Sequence, residues 1–220
     1  MLRIVKLVVS LAATMAVSFS TLLSADEGSV SYQFSFDVVW SAENNPHDFP
    51  ERPHMSRLIG IMHHSKFNLF RDGDTASSGL ELVAENGRSN ILKAEIDDGL
   101  RRERIGSLIE VPGIAVPGSF SFQFETTAKH PLLSFVTMLA PSPDWFAGIS
   151  DLSLMRDGEW IDSVGLPVWV WDSGTDFGES YLSPNQDAQP QQSVRLLSSR
   201  HFLTADGLIP VGYVTLTKID

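Results

Sequence analysis

The stretch Val30–Trp40 reads VSYQFSFDVVW. Val30, Tyr32, Phe34, Phe36, Val38 and Trp40 fall on alternate positions, with Ser31, Gln33, Ser35 and Asp37 between them. Successive side chains of an extended strand point to opposite faces, so this run carries one face for a core and one for water. The same period returns in Phe120, Phe122 and Phe124, after the turn signal Pro117-Gly118. It returns again in Val211–Ile219, where Tyr213, Thr215 and Thr217 alternate with Val214 and Leu216. Leu132–Ala140 and Leu166–Trp171 are nearly continuous apolar runs bounded by Pro and Gly, the pattern of strands covered on both faces. With Ser193–Ser198 these make many short strands separated by turns. That predicts an all-β chain folded as an antiparallel β-sandwich.

Between the first strand and Phe120 the period changes. In Met55–His64, the apolar Leu58, Ile59, Ile61 and Met62 have spacings that suit a short helix. Thr75–Glu85 reads as a second, capped by Asp74 or Thr75 and followed by Gly87; Ile91, Leu92 and Ile96 mark a third. These are expected as short helical excursions on one edge of the sandwich.

The 220 residues are 43% hydrophobic and 20% charged, an ordinary globular balance that suits one domain with a substantial core. The formal charge of −11 makes nucleic acid and anionic membranes poor partners for the surface as a whole. No cysteine is present, which excludes disulfides, a thiolate metal site and a cysteine nucleophile.

Arg3 and Lys6 precede the apolar stretch Leu7–Leu23, and small residues follow at Ser24-Ala25 before Asp26-Glu27. This is the pattern of a secretory signal peptide over residues 1–25, cleaved near Ala25 and leaving a domain over 26–220. No later segment is apolar enough to span a bilayer. The expected location is therefore secreted, periplasmic or extracellular.

Asp144, Asp172 and Asp176 sit in turn-rich segments beside aromatic and apolar runs, within APSPDWFAG (140–148) and WDSGTDFG (171–178). Carboxylates on turns at the ends of buried strands either cap those turns through side chain to backbone bonds or converge on a hard cation. Residue types alone leave both readings open. Asp72-Gly73-Asp74 begins like a calcium loop, but Ala76 fills the next ligand position, so it reads as a solvated turn. His54, His63 and His64 lack a zinc spacing and read as ordinary surface, and Arg101–Arg104 reads as a charged loop or edge strand.

The two aspartate segments, with Ser183-Pro184-Asn185 after them, resemble the spondin N-terminal domain family, whose signatures are similar to APSPDWF-x-G and WD-x-GTD-x-G. The likeness covers most of the chain. It runs from Val39-Trp40-Ser41 through His54–His63, Gly73–Gly87, Pro117-Gly118-Ser119 and Ser134–Met138. The chain ends soon after the resemblance does and has no cysteine, unlike the animal spondins, which points to a single-domain bacterial relative. The resemblance implies a β-sandwich similar to calcium-dependent membrane-binding modules, with a calcium ion held at one end. The family's ligands fall on Asp144, Asp172 and Asp176. Ser173 and Phe177 replace residues common in the family without removing a ligand. The function implied is a secreted, non-enzymatic adhesion or recognition module for an extracellular glycan or protein. The alternative is an exported hydrolase acting on a polymer or lipid through the same acidic site.

Overall fold

A computed structural model describes residues 28–219. The signal peptide expected over residues 1–25 lies outside the described residues. In chain order come β1 (Val30–Val38), β2 (His54–Met55) and β3 (Leu58–His63), then helices α1 (Ser78–Asn86) and α2 (Asn90–Arg101). Next are β4 (Ile105–Val111), β5 (Ile114–Ala115), β6 (Gly118–Thr126), β7 (Leu132–Ala140) and β8 (Trp145–Ser153). The short pair β9 (Met155–Arg156) and β10 (Glu159–Trp160) precedes the long β11 (Ser163–Asp172). The chain finishes with β12 (Arg195–Leu196), β13 (Leu203–Thr204), β14 (Gly207–Leu208) and β15 (Gly212–Ile219).

Hydrogen bonding runs along one path, β4-β3-β7-β8-β11-β15-β1-β6, and every pairing in it is antiparallel. The path folds over at β11. Ser163–Val168 pair with β15, whereas Trp169–Asp172 pair with β8, so one strand belongs to both layers. The two layers face each other: Phe34 and Phe36 of β1 pack on Phe135 of β7, with ring centroids 5.8 and 5.9 Å apart. The outer strands β4 and β6 come alongside without pairing and line a shared groove, so the sheet is nearly closed. This is the expected all-β antiparallel architecture. Tyr32, Phe34, Phe36 and Val38 are buried between the layers, as the period of two requires.

A second apolar cluster lies outside the β3-β7-β8 layer, where α1 and α2 cover Ile59, Ile61, Val136 and Phe146 with Leu80, Val83, Leu92 and Ile96. α1 is capped by Ser77, two residues beyond Thr75 and three beyond Asp74, because the Ser77 hydroxyl accepts from the Leu80 amide at 3.1 Å. It ends at Gly87, in the left-handed conformation at φ 65°.

The helix expected in Met55–His64 is instead β2 and the strand β3. Leu58 and Met62 enter the inner core while Ile59 and Ile61 enter the helix-covered cluster. A strand buried on both faces loses its polar alternation, and its apolar spacing then imitates a helix. His63 is not surface either: it is fully buried, 2.8 Å from the Ser134 hydroxyl. Leu166–Trp171 is fully buried on one face only, through Val168 and Val170, and Ser193–Ser198 shortens to the two residues of β12. Arg101 closes α2, and β4 begins after the turn at Arg102–Arg104. None of the helices among the described residues is long and apolar enough to cross a membrane.

Candidate metal centre

The pairing of β8 with β11 assembles the pole of the sandwich where the three aspartates lie. Trp145 stands opposite Asp172 in register, so the residue before β8, Asp144, meets the loop leaving β11. The Ser142 hydroxyl accepts from the Trp145 amide at 3.2 Å and closes the turn that presents Asp144. Trp145 fills the inner core, and Trp171 packs on Phe70 on the opposite face, its ring centroid 5.1 Å away. The two tryptophans thus anchor both strand ends from opposite sides.

The loop after β11 wraps round Asp144. The amides of Thr175 and Asp176 donate to Asp144 Oδ2 at 2.8 and 3.1 Å, and the Ser173 hydroxyl donates to the same oxygen at 3.1 Å. Gly174 makes this wrap possible. Its φ is +74°, and a Cβ there would stand 2.4 Å from the Gln192 carbonyl oxygen. The other oxygen, Asp144 Oδ1, is buried and has no hydrogen-bond partner. One oxygen saturated with donors beside one left bare is the arrangement of a carboxylate with a place for a cation. Burial, then the charge of Asp172, push the Asp144 carboxyl up to about 6, against the stabilising amides of Thr175 and Asp176.

Asp172 and Asp176 also serve as turn caps. Asp172 Oδ1 accepts from the Gly174 amide at 2.8 Å and its Oδ2 from Arg195 Nη2 at 2.9 Å. Asp176 accepts from the amides of Gly178 at 2.6 Å and Gln186 at 2.7 Å. These are the side chain to backbone bonds of the turn-capping reading. Each carboxylate oxygen carries further lone pairs beyond these bonds. The three side chains share one pole, but their oxygens do not all lie within 4.8 Å of one another.

Glu85, in the last turn of α1, is a fourth carboxylate that the sequence analysis did not assign. Burial raises its carboxyl above the usual range, a hydrogen bond from Thr175 opposes the rise, and the charges of Glu81, Asp176 and Asp144 add to it. The signal available in the sequence was Glu81 and Glu85, four residues apart on one helix face. With Glu85 the pole is lined by oxygen donors of net negative charge. That set fits calcium, which takes six to eight oxygens, better than it fits a metal that prefers imidazole or thiolate. Beside it Trp145, Asp172, Asp176, Phe177 and Arg195 line a groove of about 590 Å³.

The family model described as Spondin_N matches residues 30–206, a span that includes Glu85 and all three aspartates. Spondin-1 of Gallus gallus is 34% identical over 181 residues, covering 78% of this chain and 22% of its own length. Spondin-2 of Rattus norvegicus is 32% identical over 204 residues, covering 86% of this chain and 61% of its own. Spondin-2 of Homo sapiens is 31% identical over the same length of alignment. The chain spans less than two thirds of each of these relatives.

Proposed function

The chain belongs to the spondin N-terminal domain family, and from that membership we propose that it is a secreted, calcium-binding module that holds an extracellular glycan or protein. The family likeness implies an adhesive, matrix-associated role, so the chain is read as a binding module and not as the exported hydrolase. Export rests on the signal-peptide pattern of residues 1–25.

The observation that carries the calcium reading is the bare, buried Oδ1 of Asp144 at a pole shared with Asp172, Asp176 and Glu85. Asp144, Asp172 and Asp176 would hold the ion, with Glu85 beside them. Calcium, when bound, offsets the mutual repulsion of these carboxylates and fixes the loop from Ser173 to Gln186. That loop carries Phe177 and Leu182, 47% and 78% exposed, so an ion there orders a surface with apolar side chains turned outward. A partner meeting this pole would be gripped by a loop already held in shape, which lowers the ordering cost of binding.

The test is a screen of the mature domain against extracellular glycans and proteins, run in calcium and in chelator. The expected result is a partner whose binding weakens in chelator and in Asp144→Asn. Binding that ignores both changes would separate adhesion from the metal and overturn the calcium reading, while no binding at all would overturn the adhesive one.

A further inference from the structure

A different cluster lies where the turn after β1 meets the turn between β12 and β13. His47, Asp48 and His201 each offer one ligand atom, and these atoms all lie within 4.8 Å of one another. Among the described residues this is the one group of three or more histidines and acids drawn so tightly. The two imidazole rings are 5.0 Å apart between centroids.

Three buried polar atoms here lack hydrogen-bond partners: His47 Nε2, His201 Nε2 and Asn45 Oδ1. His201 and Asn45 are each only 1% exposed. Asn45 donates through Nδ2 to the His201 carbonyl at 3.1 Å, which fixes its amide and leaves Oδ1 bare. His47 Nε2 stands 3.0 Å from Asp48 Oδ2 yet makes no hydrogen bond. The Ser199 hydroxyl is 3.2 Å from His201 Nδ1. When Nδ1 carries the proton and donates to Ser199, the Nε2 lone pair is free, the usual way an outer partner sets the tautomer of a metal-binding histidine. Rings of Tyr181 and Trp145 pack at 4.8 and 5.2 Å from His201 and hold it in place.

We propose that His47, Asp48 and His201 form a site for a divalent transition cation of the zinc class, separate from the oxygen-lined pole. Two imidazole nitrogens and one carboxylate oxygen are zinc's usual donors, and a fourth position remains for Asn45 Oδ1 or water. Imidazole also selects such ions over calcium. The Arg200 guanidinium, 3.9 Å from Asp48 Oδ2 and well exposed, is a weak competitor for the carboxylate. The site ties the first loop of the domain to the turn before β13, which no hydrogen-bond ladder joins.

The experiment titrates zinc into the mature chain with calcium held in excess, by calorimetry, and follows cobalt as a coloured substitute. One zinc per chain is expected, with the intense visible absorption of tetrahedral cobalt. His47→Gln and Asp48→Asn sit on partly exposed side chains and should fold; each is expected to weaken zinc by about tenfold or more. Asp144→Asn removes no zinc ligand, so one zinc per chain should still bind, and the two metal readings stand or fall separately. Absence of zinc binding at millimolar concentration, or equal affinity in His47→Gln and Asp48→Asn, overturns the proposal. Loss of binding in His64→Gln instead, a residue whose ring stacks near His130, would also overturn it by moving the metal to that pair.

Discussion

The Thr175 amide donates to Asp144 Oδ2 at 2.8 Å, joining two loops that are 31 residues apart. This bond explains why the aspartate segments act together. The loop after β11 cannot keep its shape unless Asp144 accepts three donors, and Asp144 cannot stay charged in the core without them. The saturated oxygen shapes the loop. The bare oxygen beside it is what calcium would use.

Replacing Asp144 by Asn tests that division. Oδ1 of Asn still accepts the loop donors, and its amide nitrogen replaces the bare oxygen. Calcium affinity should drop by at least about tenfold, since a first ligand and its charge are gone. Stability in chelator should change little or rise, because a buried charge has been removed. Calorimetry and melting measure the two effects. A large loss of stability with no change in calcium response would make Asp144 a turn cap and nothing more.

Calcium should also raise the melting temperature. A ligand that binds only the native state stabilises it by about 2.7 kcal/mol at a hundredfold excess over Kd. For a domain of this length that corresponds to roughly 5–10 °C. Magnesium should do less, because it keeps a small octahedral shell and gives up its water reluctantly. The inner core reaches the pole through Trp145 and Tyr181 but extends far beyond it, over Tyr32, Phe34, Phe36 and Phe135, so chelation should leave the sandwich folded. Circular dichroism melts in calcium, magnesium and chelator decide it; coincident curves would count against a bound ion.

Some of this was legible in the sequence and some was not, for physical reasons. β1, β6 and β15 each keep one face in water, so their alternation survives in the residues. β3 did not survive as a pattern because Ile59 and Ile61 are needed under the helices as much as Leu58 and Met62 are needed in the core. β8 leaves no period of two for a related reason: Trp145–Gly148 is wholly buried, while Ile149–Leu152 is only half covered. The three aspartates were read from their turns and from family likeness. Glu85 belongs to a helix distant in sequence, and only the packing of α1 on β7 and β8 brings it to Thr175. The cluster of Asn45, His47 and His201 left no spacing signal, since its parts come from turns over 150 residues apart.

His63 makes stability depend on pH. Burial lowers its pKa; bonds to the His64 carbonyl and the charge of Asp151 work against this, and Arg71 works with it. An unfolded histidine takes its proton near 6.5, whereas buried His63 stays neutral to lower pH. The unfolded chain therefore binds more protons in that interval, and stability falls as pH drops below about 6.5. His64 and His201 shift in the same direction, so the measurement is a difference. Denaturant midpoints from pH 7.5 to 5 should fall less steeply in His63→Gln than in the unaltered domain. Parallel curves would mean that His63 protonates without cost in the folded state.

Arg195 gives a prediction whose two parts have opposite signs. Its guanidinium is 2.9 Å from Asp172 Oδ2, with the arginine side chain 59% exposed and the aspartate 8%. In chelator the pair is favourable, and Arg195→Gln should cost up to about 1 kcal/mol, the range of an ion pair open to solvent on one side. For calcium the same arginine is a competitor, because it occupies an oxygen of a candidate ligand and adds positive charge at the pole. Removing it should tighten calcium by a few-fold even as the metal-free domain weakens. A residue that only supports the fold predicts the loss of stability and no gain in affinity. Calcium titrations of Arg195→Gln beside the unaltered domain, at two salt concentrations, tell these apart. The gain should shrink at the higher salt, as screening already blunts the arginine there. Unchanged or weakened calcium binding in Arg195→Gln would remove Asp172 from the ligand set.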